Sequence, residues 1–94
     1  MVRGIDPSAF ASCTGLTSII IPENLGYISF GAFFNCSNLR KVFYYGTDIT
    51  VWNSINIDSG NDPLTSSTIY YYSAESNTDG SHWYMAGGVP TVWN

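Results

Sequence analysis

Ninety-four residues, 45% of them hydrophobic and with a formal charge of −4, suit at most one domain and are too apolar to stay disordered. Charged residues are only 11% of the chain, under half the share in an average soluble domain, while aromatics reach 16%. The bases are Arg3, Arg40 and Lys41 alone, which excludes nucleic-acid binding by phosphate neutralisation and disfavours an anionic membrane surface.

No export signal opens the chain, since Met1-Val2-Arg3-Gly4 runs directly into patterned sequence. No apolar run approaches a membrane span; Ile19–Ile21 is strand-sized. Residues 5–21 recur in residues 28–44 at an offset of 23. Ile5 falls on Ile28, Ala9 on Ala32, Phe10 on Phe33, Cys13 on Cys36, Leu16 on Leu39, Ile19 on Val42 and Ile21 on Tyr44. All matched positions are apolar or small, as a stacked core demands. A period of 23 falls within the range of leucine-rich repeats and below that of helical repeats. In each unit L-x2-[IV]-x-[IY] alternates with period two, which predicts a short strand with Leu16, Ile19 and Ile21 facing inward and Pro22 ending it. The Ala-Phe pair followed by Cys predicts a tight turn or short helical segment on the opposite wall. Phe10 and Phe33 fill the interior there, and Cys13 and Cys36 suit a crowded layer.

On these residues the chain resembles the BspA-like (treponemal-type) leucine-rich repeats of bacterial surface proteins. The matching positions are Ala9-Phe10, Cys13, Leu16, Ile19 and Ile21-Pro22, then Ala32-Phe33, Cys36, Leu39 and Val42. The resemblance covers residues 4–45 and lapses after Val42, where Phe43-Tyr44-Tyr45-Gly46 replaces the Ile-Pro ending. It implies a leucine-rich-repeat solenoid, α/β or mostly β, with short parallel strands joined by tight turns or short helices. It also implies extracellular or cell-surface display of the parent protein and binding of a protein or host-surface ligand in an adhesion-type role.

Beyond Gly46, Thr47-Asp48 predicts the start of a short helix holding Val51, Trp52 and Ile55. Asp58–Pro63 reads as a loop, Ser67–Tyr72 as a strand, and Ala74–Ser81 as a polar connection. His82–Met85 and Val89–Trp93 flank Ala86-Gly87-Gly88, a hairpin signal. The expected division is two repeats over residues 1–45, then a final rung and an aromatic β-rich cap over 46–94, with Trp52, Trp83 and Trp93 as plates closing the last layer. The first repeat opens at Gly4-Ile5 with no strand before it. This predicts the C-terminal piece of a larger array, whose uncapped end self-associates through Ile5, Phe10 and Leu16 when isolated.

Catalysis is not expected. His82 is the only histidine, the seven acids are scattered, and Gly87-Gly88 is a turn pair, not a phosphate loop. No cofactor is implied, and two cysteines with one histidine fall short of a zinc site. Cys13 and Cys36 suit either free thiols in a packed ladder or a disulfide between neighbouring rungs. Asp58, Asn61 and Asp62 hold calcium-type oxygens at a spacing that misses the calcium-loop pattern. The ligand-binding candidates are the outward residues of the repeat sheet: Ser18, Ile20, Lys41, Phe43 and Tyr45. Among them Ile20 and Phe43 should form an apolar stripe. Two other readings compete: a passive spacer, and a sugar-stacking platform of Tyr71, Trp83, Tyr84 and Trp93.

Overall fold

Apolar residues at alternate positions let an extended segment bury one face, and pairing at a fixed offset stacks those faces into a core. In the computed structural model, which describes residues 3–93, β1 (Arg3–Ile5), β2 (Ser18–Ile21), β3 (Leu25–Ile28) and β4 (Lys41–Tyr44) form the first two repeats. Then follow α1 (Ile49–Asn53), β5 (Asn56–Ile57), α2 (Asp62–Thr65), β6 (Thr68–Tyr72), β7 (His82–Ala86) and β8 (Val89–Val92). The strands make a short sheet, β1-β3-β5, and a long sheet, β2-β4-β6-β7-β8.

β2 and β4 are parallel at the 23-residue offset, with Ser18 opposite Lys41, Ile20 opposite Phe43 and Ile21 opposite Tyr44. Each repeat supplies a second strand as well. β1 lies where no strand was expected, and β1 and β3 pair in parallel with a register shift between Arg3 and Gly4. That shift and the glycines at positions 4 and 26 break the two-residue alternation that would announce a strand. Gly4 has a steric role: a Cβ there would fall 2.2 Å from the ring of Tyr27.

The core lies between the two sheets. Ile28, Phe33, Cys36, Val42 and Tyr44 are fully buried, with Leu39 nearly so. Ile5, Phe10, Cys13, Leu16 and Ile19 pack against this cluster but remain half-buried, because only one neighbouring layer covers them. Phe10 and Phe33 stack with centroids 5.2 Å apart and planes 8° from parallel. The turns between sheets also hydrogen-bond from layer to layer: Phe10 N donates to Ala32 O at 2.7 Å and Ser12 N to Phe34 O at 2.7 Å. Two columns of left-handed backbone recur at the repeat spacing. One runs through Ser8 (φ 58), Gly31 (φ 64) and Gly60 (φ 82), the other through Ser12 (φ 60) and Asn35 (φ 64).

β5 and β6 extend both sheets by one more layer, Ile28 pairing with Ile57 and Val42 with Ile69. The spacings are now 29 and 27 (57 − 28 and 69 − 42), so this layer escapes a 23-residue comparison. The excess enters before β5, where α1 is inserted. Asp48 caps that helix by accepting from Val51 N at 3.1 Å, and Trp52 packs edge-on against Tyr44 at 5.1 Å. After β5 the connection is two residues shorter than in the earlier repeats (69 − 57 against 42 − 28). It contains the single turn α2, whereas this stretch reads as a loop in sequence.

Asn61 stands at the place corresponding to Ala32, but its backbone carbonyl is turned into α2, accepting from Leu64 N and Thr65 N at 3.0 Å, and its side chain takes over the bond to the preceding layer. Its Oδ1 accepts from Phe33 N at 2.9 Å, and its Nδ2 donates to Ser29 O at 3.0 Å and Asp58 O at 2.9 Å. Asn61 is the buried polar side chain of the core, 2% exposed and fully paired. Beyond β6, β7 continues in parallel and β8 returns antiparallel across Gly87-Gly88. Both glycines have positive φ (56 and 86), the requirement of a type I′ turn that matches strand twist.

Candidate functional site

The alternation that turns Val42 and Tyr44 into the core turns Ser18, Ile20, Lys41, Phe43, Tyr70 and Tyr72 to the other face of the long sheet. That face is partly covered by the chain itself. The β7–β8 hairpin curls over it, and Trp83, opposite Tyr72 in the ladder, is completely buried there. Its ring lies 5.3 Å from Phe43, 4.9 Å from Tyr45 and 5.4 Å from Tyr72, and its Nε1 donates to Tyr44 O at 2.8 Å. Phe43 also stacks on Tyr70 at 5.6 Å, and Tyr45 meets Tyr72 at a tilt at 5.2 Å. An aromatic cluster therefore backs the sheet on the side away from the main core.

Of the predicted recognition residues, Ile20 and Phe43 sit side by side in register, but Phe43 is only 5% exposed beneath Trp83, whereas Ile20 is 40% exposed. The bare apolar stripe is thus reduced to its first member. Tyr45 is half-buried in the aromatic cluster, Ser18 is half-exposed, and Lys41 is exposed. Where the curl stops, a groove of about 360 Å³ remains between the sheet and the hairpin, lined by Thr17, Ser18, Arg40, Lys41, Phe43 and Pro90. Three of the five predicted residues line it. Pro90 was missed, because nothing in the order of residues shows that β8 arches back over β4.

The proposed sugar-stacking set is dispersed. Trp83 is buried in the aromatic cluster, and Tyr71 packs against the main core. Tyr84 and Trp93 stack on each other at 3.9 Å, and Trp93 Nε1 is tied to Ser73 O at 2.9 Å. The three tryptophans do not close one common layer either: Trp52 meets the inner core, Trp83 the opposite face of the sheet, and Trp93 the hairpin. Trp52 is placed by α1, and pairing in β7–β8 sets Trp83 and Trp93 apart, because Trp83 faces Val92 and adjacent strand residues point to opposite faces.

A polar cluster joins the 73–81 connection to β7. His82 Nδ1 lies 2.8 Å from Asp79 Oδ1, and Ser81 Oγ lies 2.9 Å from that oxygen and 3.2 Å from Nδ1. These contacts, His82 first and then the Ser81 amide, lower the Asp79 carboxyl to about 2. A catalytic triad needs the acid and the hydroxyl on opposite ring nitrogens. Here both gather at Nδ1, so the cluster is built to pin the connection and not to activate Ser81.

The remaining candidates are occupied structurally. Cys13 and Cys36 are both free thiols; Cys36 is buried, donates to Phe10 O at 2.9 Å, and is pushed up from its ordinary pKa chiefly by burial. Asn61, considered with Asp58 and Asp62 for calcium, spends its amide on three backbone groups. Among the described residues, no three His, Cys, Asp or Glu side chains converge as metal ligands, and no helix is long and apolar enough to cross a membrane.

The family described as BspA type leucine-rich repeat region (6 copies) matches residues 1–74, ending two residues beyond β6. No curated protein and no solved structure matches the chain.

Proposed function

This chain belongs to the BspA-type leucine-rich repeat family, and on that premise we propose that it is a non-catalytic protein-binding module of adhesion type. Its repeats stack as a solenoid, and the aromatic hairpin shields one side of the repeat sheet. Repeat stacks use such extended sheet surfaces for recognition, and the family's place on surface or secreted proteins suits a chain with so few charges. One observation carries the reading: the outer face of β2–β4 stays open at Ser18, Ile20 and Lys41 while the neighbouring Phe43 is buried. An exposed isoleucine beside an uncompensated lysine and a groove is a ready contact point.

The test is surface capture of purified extracellular-matrix and host-surface proteins by the immobilised chain and by its Ile20→Asp variant. Binding that Ile20→Asp abolishes, with an unchanged far-ultraviolet spectrum, supports the module. Capture indifferent to Ile20→Asp moves the contact elsewhere. Capture of nothing across the panel leaves the chain a structural spacer. Sugar stacking is the weaker alternative, because its four aromatic residues do not share an open face.

A further inference from the structure

The curl of the long sheet stops short of closing. Its open seam runs between Pro90 on β8 and the outer face of β2–β4, and there lie two of the three bases in the sequence, Arg40 and Lys41. We propose that this seam binds the carboxylate side chains of an acidic, extended peptide segment. Lys41 and Arg40 are the cationic contacts, and the hydroxyls of Thr17 and Ser18 are the neutral ones. The proposal rests on the protein-binding reading of this face and names the chemistry of its partner.

Charge is the first argument. The chain carries seven acids against three bases, yet among the described residues the only acid–base side-chain contact is that of His82 Nδ1 with Asp79 Oδ1. No described carboxylate therefore neutralises Arg40 or Lys41, although acids outnumber bases. Two neighbouring cations left uncompensated on the wall of a groove attract an anion from outside. Arg40 is also prearranged: its Nη1 donates to Ser37 O at 2.9 Å and Leu39 O at 3.1 Å. These bonds hold the guanidinium still and leave its other N–H groups for a ligand, which reduces the ordering cost of binding. Lys41 supplies a mobile point charge beside it.

The surroundings select among acidic ligands. Phe43, the aromatic side chain of the seam, is covered by Tyr70 and Trp83 and offers a sugar ring no face to stack on, so a polysaccharide gains nothing here beyond its charge. Backbone pairing of an added strand is hindered as well. Pro90 lies opposite Met85, between the hydrogen-bonded positions of the hairpin, and Trp93 N keeps that register by donating to His82 O at 3.0 Å. The proline ring thus stands where the outward N–H of β8 would be, which guards that edge against strand addition. Side-chain charge is left as the means of recognition, and a peptide offers carboxylates at a spacing that extended backbone sets.

The test is a nitrogen-15 NMR titration of the full chain with an acetylated, amidated hexapeptide alternating valine and glutamate. Parallel arms use its glutamine counterpart, inorganic phosphate and polygalacturonate. The expected result is saturable shifts at Thr17, Ser18, Arg40 and Lys41 for the glutamate peptide, weakened by salt and absent with glutamine. Lys41→Gln, an exposed change outside the core, should raise Kd about five- to tenfold. Unmoved signals, an unchanged Kd in Lys41→Gln, or equal binding of phosphate or polygalacturonate would each overturn the proposal. If Ile20-dependent capture of a protein persists while the peptide fails, only the acidic partner falls; if both fail, the binding face itself falls.

Discussion

Replacing Asn61 with alanine tests the claim that one side chain makes the interlayer hydrogen bond that a backbone carbonyl makes in the preceding layer. The change strands the Phe33 amide, which sits in a fully buried residue and has its acceptor in Asn61 Oδ1. An unpaired buried donor costs about 1–3 kcal/mol. The carbonyl of Ser29 keeps a second partner in the Ala32 amide at 3.2 Å, and Asp58 is exposed enough for water to reach its carbonyl. Those two losses together add about 1 kcal/mol, for a total of roughly 2–4 kcal/mol. Against a typical stability of about 5–15 kcal/mol this is a large fraction, equivalent to a fall in Tm of about 10–30 °C at this chain length. Urea unfolding followed by tryptophan fluorescence reads the free energy, and hydrogen exchange at the Phe33 amide reads the site. Asn61→Asp retains the acceptor but sets a carboxylate against two carbonyls. Its deficit should be as large near neutral pH and should shrink on acidification, when the protonated acid regains a donor. A loss below about 1 kcal/mol in Asn61→Ala, with Phe33 still protected, would refute the reasoning.

The left-handed column makes two opposite predictions. Ser8→Gly should stabilise by up to ~1 kcal/mol, the relief of positive φ outweighing the added freedom of the unfolded chain. Gly60→Ala should destabilise by about 2 kcal/mol or more, because φ is +82 and its Cβ would stand 3.2 Å from the backbone of Gly31. Chemical denaturation of both variants checks the pair, and equal signs would contradict it. Asp79 predicts a pH signature. Its folded carboxyl titrates at about 2, below its ordinary value of 3.8, so its contribution is complete above about pH 4 and disappears as pH falls through about 2. Asp79→Asn should therefore be less stable than the parent at pH 6, with the deficit mostly gone near pH 2 and vanishing below it; an equal difference at pH 6 and pH 2 would remove His82–Asp79 as the cause.

The order of residues determined the inner layer of this protein. Ile5, Phe10, Cys13, Leu16 and Ile19 and their partners 23 positions later are apolar or small because each must fit the residue stacked above it, and such a constraint is written in every repeat. The parallel pairing of β2 with β4, the cap of α1 and the glycine turn of the hairpin were legible for the same reason: each depends on neighbours in sequence or on one fixed offset. The third layer was only half-legible, because an insertion before β5 and a deletion after it shift the period while preserving the stack. The Asn61 side chain stands in for a carbonyl turned into α2, yet in sequence Asn61 is indistinguishable from a turn residue, since its hydrogen-bond partners Ser29 and Phe33 lie 32 and 28 positions away. The outer face belongs wholly to the tertiary structure. Whether Phe43 is bare or buried depends on where a hairpin 40 residues later comes to rest (83 − 43). Strand alternation states which face a side chain takes, but only the curl of the sheet decides what covers that face, and so leaves Ile20 and Lys41 open beside the seam.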